Sequence, residues 1–198
     1  QPDKLIPYAE MAKAEGWKTK YTFKTPQGDW TKEKYDDGSW QEGYGAFGDR
    51  NTEANKTKWS GDDADVYIRR HFNVSKIEKD AKIRIVYSHD DVFELYLNGE
   101  KIVDTGNTWL DDQVVELTPA QAAKLHEGDN VIAAHCHNTT GGAYADFGIY
   151  YTPANVSKFD AAAEQLSCDV LATSSYYTFK CGPVKLNVVF TAPQLIDD

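Results

Sequence analysis

Apolar and polar positions alternate with a period of two through the middle of the chain. In Val66-Tyr67-Ile68-Arg69-Arg70-His71-Phe72-Asn73-Val74 the branched and aromatic residues fall on every second position. That is the signature of a strand with one face buried. The same pattern predicts strands at 17–23, 65–74, 82–88, 92–97, 101–104, 112–117, 130–138 and 145–151. Asn98-Gly99, between Leu97 and Ile102, is the clearest hairpin turn. Ser88-His89-Asp90-Asp91 reads as a second tight connection, with Asp side chains accepting backbone N–H groups. Thr118-Pro119 is an N-cap followed by a first-turn proline, so one short helix begins there. Residues 1–16 mix Leu5, Ile6, Ala9 and Met11 with charges and read as a linker or short helix. The stretch from Thr25 to Gly48 is rich in Gly, Asp and aromatic residues, the composition of turns pinned by ring packing. Short strands at regular spacing, without strand–helix alternation, predict an all-β, antiparallel sandwich and exclude a doubly wound sheet.

Composition refines this picture. The chain has 198 residues, 41% of them apolar and 13% aromatic, enough for one sandwich core and an additional segment. Its formal net charge is −10, with 31 acidic and 21 basic residues and no basic cluster, which argues against nucleic-acid binding. No apolar run has the length of a membrane span. The chain starts at Gln1-Pro2-Asp3 without a leader, and reads as a piece cut from a longer protein. After Asp160 the character shifts, and strands are predicted at 168–173, 176–181 and 184–190. The domains expected are therefore a linker or helix at 1–16, a sandwich at 17–155, and the opening strands of a second β domain at 156–198. A hairpin turning at Ser174-Ser175 sets Asp169 opposite Lys180 and Cys168 opposite Cys181, where a disulfide fits; two reduced thiols fit as well. Cys136 lies among Ile132 and Ala134 and is expected to be buried and inert.

Several quoted segments carry a resemblance. Trp30, the Asp36-Asp37-Gly38-Ser39-Trp40 turn, Trp59 ahead of the strand from Val66, Tyr96-Leu97-Asn98-Gly99 and Gly128-Asp129-Asn130-Val131-Ile132-Ala133 resemble the galactose-binding-like jelly-roll module of beta-galactosidase-type glycoside hydrolases. The tail, from Asp169-Val170-Leu171 through Thr178-Phe179-Lys180-Cys181-Gly182 to Ala192-Pro193, resembles a segment of bacterial glutaminase-A-like multidomain proteins, including those of gut Bacteroidota. The resemblance implies a secreted or periplasmic parent hydrolase, with this piece as an accessory module that braces neighbouring domains of the parent chain or binds a glycan. It implies room for a structural calcium ion, although no dense calcium-loop pattern is present, and no cofactor is expected. A role as part of a hydrolase active site is the remaining alternative.

Candidate chemistry is sparse. His135 and His137 share one strand face and offer two metal ligands without a matched third. The acidic pairs Asp62-Asp63, Asp90-Asp91 and Asp111-Asp112 are simpler as solvated turns than as glycosidase carboxylates. There is no phosphate loop, zinc-protease helix motif or nucleophile elbow, and no catalytic residue is assigned. Sugars present apolar C–H faces that stack on aromatic rings and hydroxyls that need fixed polar partners. Trp59, Trp109 and Tyr144, with His89, Asp90 and Asn138 as polar neighbours, are the ligand-binding candidates; domain packing or an interface with the parent enzyme is the simpler reading of each loop aromatic.

Overall fold

The computed structural model describes residues 4–59 and 64–154, together with the backbone of Asp169–Thr173, Tyr176–Cys181 and Val184–Val188. The chain divides into two compact units, Gln1–Pro153 and Ala154–Asp198. In the first, strands β1 (Ile6–Ala9), β2 (Trp17–Thr22), β3 (Gln41–Gly45), β4 (Phe47–Gly48), β5 (Thr57–Lys58), β6 (Asp65–Val74), β7 (Lys82–Leu97), β8 (Glu100–Asp104) and β9 (Thr108–Glu116) are followed by the short helix α1 (Pro119–Ala122), then β10 (Gly128–His137) and β11 (Tyr144–Thr152). One layer runs β3-β2-β6-β10-β7-β8 and the other β9-β7-β11, with β1 and β4 on the far side of β11. All pairs are antiparallel except β4 with β5. This is an antiparallel β-sandwich of the jelly-roll kind.

Strand β7 belongs to both layers. Lys82–Asp90 pairs with β11, and Val92–Leu97 pairs with β10. A strand that changes sheets forms a corner of the sandwich. Ser88-His89-Asp90-Asp91 is therefore continuous strand and not the expected turn. Its last carboxylate is satisfied from a distant segment: Asp91 Oδ2 accepts from Thr139 N at 2.8 Å and Thr140 N at 3.2 Å. The acidic pair Asp111-Asp112 likewise lies within β9 rather than a turn. It faces β7 where the register slips between Tyr87 and His89, and Asp112 takes φ 50°, a conformation Asp tolerates.

The expected linker or helix at 1–16 is corrected too. Ile6–Ala9 is strand β1 on the edge of β11, with Tyr8 against Tyr151 at 4.7 Å between ring centroids. Pro7 bars a helix interior but is tolerated in an edge strand. The expected hairpin is present at Asn98 (φ 48°) and Gly99 (φ 88°), both in the left-handed region a two-residue turn of this kind needs. The expected helix start is a full capping box between Thr118 and Gln121.

The core between the layers holds Phe47, Phe93, Phe147, Ile68, Ile85, Leu95, Leu97, Ile132 and Ile149, all buried. The outer face of the β6 layer is roofed by the loop between β2 and β3. Arg69, fully buried, donates from Nε to Asp37 Oδ2 at 2.7 Å and from Nη1 to Lys32 O at 2.9 Å and to Trp30 O. Trp30 packs edge-on against Tyr67 and Tyr96. Among the described residues no helix is long and apolar enough to cross a membrane.

In the second unit the described backbone is a three-stranded antiparallel sheet, β12 (Asp169–Thr173), β13 (Tyr176–Cys181) and β14 (Val184–Val188). Asp169 pairs with Lys180, the register read from the sequence. Cys168 and the Cys181 side chain lie outside the described residues, and so does their pairing.

Candidate functional site

The outer face of the β7–β11 layer brings three of the six ligand-binding candidates together. On antiparallel neighbours, directly opposed residues point to the same face. Tyr144 on β11 opposes Asp90 on β7, and Asp90 opposes Trp109 on β9. The three form one cross-strand row. Trp109 is 63% exposed, the most exposed large apolar side chain among the described residues. Tyr144 is buried beneath Arg50, whose guanidinium sits 4.2 Å from the ring centroid.

Arg50 organises the polar side of the row. It donates from Nη1 to Asp111 Oδ1 at 2.6 Å, and Nη2 lies 3.9 Å from Asp90 Oδ2. The next row down holds Ser88 and Asp146, opposed across β7 and β11. Ser88 is 4% exposed and its hydroxyl accepts from Asp112 N at 2.9 Å. Arg50, Ser88, Asp111, Asp112, Tyr144 and Asp146 line a cleft of about 300 Å³, closed on one side by Met11 and Ala12; Asp90 and Trp109 lie beside this lining and not in it. Burial, and then the neighbouring Asp91 carboxylate, raise the pKa of Asp90 against the opposing pull of Arg50. Burial pushes the Tyr144 phenol up to about 12. Burial also pushes Asp146 up to about 6, although Trp17 Nε1 donates to it at 2.9 Å.

The other candidates lie elsewhere. Trp59 is 1% exposed, a core residue and not a loop platform, which corrects its assignment as a stacking residue. His89 points to the opposite face from Asp90, into the core, stacked against Phe93 at 5.2 Å and Tyr87 at 5.8 Å. Its Nδ1 meets Asp91 O at 2.6 Å, Nε2 has no partner, and burial lowers its pKa, so it is held neutral. Asn138 is buried, with its backbone N–H donated to Ala64 O at 2.7 Å and Oδ1 unpaired. Neither is open to a ligand.

His135 and His137 do share a face, on the other layer. His135 Nε2 and His137 Nδ1 both meet Asp65 Oδ1, at 2.7 and 3.0 Å, and His135 stacks on Tyr67. The pair is the centre of a hydrogen-bond network with Asp65 and Glu94. Among the described residues no three His, Cys, Asp or Glu side chains are placed to hold a metal ion. Cys136 is buried, and burial pushes its thiol well up, so it is not a nucleophile. Asp62-Asp63 lies outside the described residues. Sequence reasoning missed Arg50. It is a lone cation after Gly48-Asp49, and nothing local marks it as the partner of residues some 40 to 60 positions away.

No protein-family model matches the chain, and no curated protein matches it. Among solved structures the chain is similar to a beta-glucuronidase from glycoside hydrolase family 2, with a TM-score of 0.52 and 16% identity over 88% of this chain and 21% of that one. It is similar also to a beta-glycosidase from Bacteroides vulgatus (TM-score 0.48, 14% identity, 89% and 24% covered) and to a Ruminococcus gnavus beta-glucuronidase (0.49, 12%, 92% and 35%). At such identities the likeness is one of fold. The chain spans about a fifth to a third of these proteins.

Proposed function

We propose that this chain is a non-catalytic accessory module of a larger, glycoside-hydrolase-like extracytoplasmic protein, where it braces neighbouring domains. The observation that carries this reading is the sandwich fold shared with a minor share, 21%, of a glycoside hydrolase chain. The side chains agree with it. Glycoside hydrolysis needs two carboxyl groups facing each other across the scissile bond. Here Asp90 and Asp111 sit on one open face beside a single arginine. The one buried histidine with a free ring nitrogen, His89, points into the core. The glutaminase-A-like parent rests on the tail resemblance alone, and a glycosidase-like parent is the better supported of the two.

The test is turnover. The 198-residue chain is assayed against chromogenic beta-glucuronides and beta-galactosides and against glutamine amides. We expect no hydrolysis above that of a chain carrying both Asp90→Asn and Asp111→Asn. Turnover that disappears in that double variant would overturn the reading.

A further inference from the structure

We propose that the open face of the β7–β11 layer is a glycan subsite, built around Trp109 and selective against anionic sugars. The inference deepens the module reading and rests on it. Four observations converge. Trp109 presents a large aromatic surface to solvent, where a pyranose C–H face can stack. Asp90 and Asp111, directly beside it in the fold, are acceptors for sugar hydroxyls, and Arg50 is held between them as a fixed donor. Ser88, nearly fully buried in the cleft wall, accepts from Asp112 N and donates its own hydrogen to none of the described groups. The cleft of about 300 Å³ is lined by Asp111, two residues along β9 from Trp109, and has the size of a single-sugar subsite beside the ring.

The charge of the cleft sets the ligand class. Its lining carries Asp111, Asp112 and Asp146, with Asp90 adjacent, against Arg50 and the buried Arg70 behind Asp146, so carboxylates outnumber cations. Arg50 Nη1 is already engaged by Asp111, which leaves Nη2 to donate to a sugar hydroxyl. A uronate or sialate carboxylate arriving here meets an excess of like charge in a partly desolvated site, whereas a neutral or amino sugar does not. The other layer offers no equivalent, because the loop pinned by Arg69 covers much of its outer face.

The experiment is saturation-transfer NMR on the full chain with methyl beta-galactoside, cellobiose, glucosamine and glucuronate. Neutral or amino sugars should give transfer, and glucuronate should bind about tenfold more weakly or worse, an excess that shrinks in high salt. Trp109→Ala, an exposed change that spares the core, should abolish transfer. Tyr44→Ala removes another exposed aromatic, on β3 in the other layer, and should leave transfer intact. Asp111→Asn should release Arg50 and raise glucuronate binding relative to the neutral sugars. Equal or tighter glucuronate binding by the unmodified chain, binding that survives Trp109→Ala, or silence with every sugar would each overturn the subsite. None of these outcomes touches the module reading, which stands or falls on the absence of turnover.

Discussion

Replacing Asp146 with Asn should leave the first unit about equally stable at pH 4 and make it more stable at pH 7. Asp146 is 2% exposed on β11. Its carboxylate accepts from Trp17 Nε1 at 2.9 Å and from Ala12 N at 3.0 and 3.1 Å, tying the segment after β1 to the sandwich. Arg70 is buried beside it, donating to Phe147 O at 2.8 Å and lying 4.5 Å over the Trp17 ring. Burial disfavours both charges. It pushes Asp146 from 3.8 up to about 6 and Arg70 from 12.5 down to about 10, even though each attracts the other. Desolvation here outweighs Coulomb attraction, the usual fate of a buried ion pair without full hydrogen bonding.

A rise of about two pKa units corresponds to about 3 kcal/mol between the charged and neutral forms. The folded state binds this proton more tightly than the unfolded chain does. Below pH 4 the carboxyl is neutral in both states and carries no penalty. As pH rises from about 4 to about 6 the unfolded chain ionises first, and stability falls; above 6 the penalty is complete. Asparagine copies the neutral carboxyl in shape and keeps one acceptor oxygen. The attraction of Arg70 is already contained in the net shift, so its loss is not an extra term. Urea unfolding followed by tryptophan fluorescence, at half-unit steps from pH 4 to 7, gives the difference between variant and unmodified chain. That difference should grow from near zero to as much as about 3 kcal/mol in favour of asparagine. Taking the difference cancels the other titrating groups, such as His89 and Asp37. A gap that does not change with pH, or an asparagine variant less stable at pH 7, would show that the carboxylate is stabilised where it sits and refute the argument.

Two further outcomes are expected. Arg69→Ala strips donors from the half-buried carbonyls of Trp30 and Lys32 and leaves Asp37 to His71 alone, so it should destabilise by about 1–3 kcal/mol and open the roofing loop to trypsin at Lys32 and Lys34. An unchanged melting temperature with an unchanged tryptic pattern would sink it. A chain ended after residue 158 keeps the whole of the first unit, Gln1–Pro153, and should still melt in one cooperative transition. Loss of that transition in calorimetry would show that the tail belongs to the core.

Much of the sandwich was legible because its signals are local. Alternation marked β6 at Asp65–Val74 to the residue, Asn98-Gly99 fixed a hairpin, and Thr118 before Pro119 fixed a helix start. What escaped was written in distant contacts. Four polar residues in a row at Ser88 to Asp91 look like a turn until Thr139 and Thr140 supply their N–H groups from 48 and 49 positions away. β1 escaped because four residues around a proline carry too little pattern, and the edge of β11 that receives them is far along the chain. The site was half legible for the same reason. Composition singled out Trp59 and Trp109 alike, but only the tertiary fold buries one and exposes the other.

The division between core and site follows from parity along β7. Ile83, Ile85, Tyr87 and His89 take the inward positions, and Arg84, Val86, Ser88 and Asp90 the outward ones. His89 is thereby sealed between rings, where a charge is excluded, while its neighbour Asp90 joins the open face with Trp109 and Tyr144. One residue of slip would turn Asp90 toward the core and carry Ile83, Ile85, Tyr87 and His89 to the open face. The register is held against that slip by the long ladder with β11, from Lys82 opposite Thr152 to Asp90 opposite Tyr144, and by the apolar side chains of its inward positions. The open face is thus as firmly specified as the core, because the same alternation builds both.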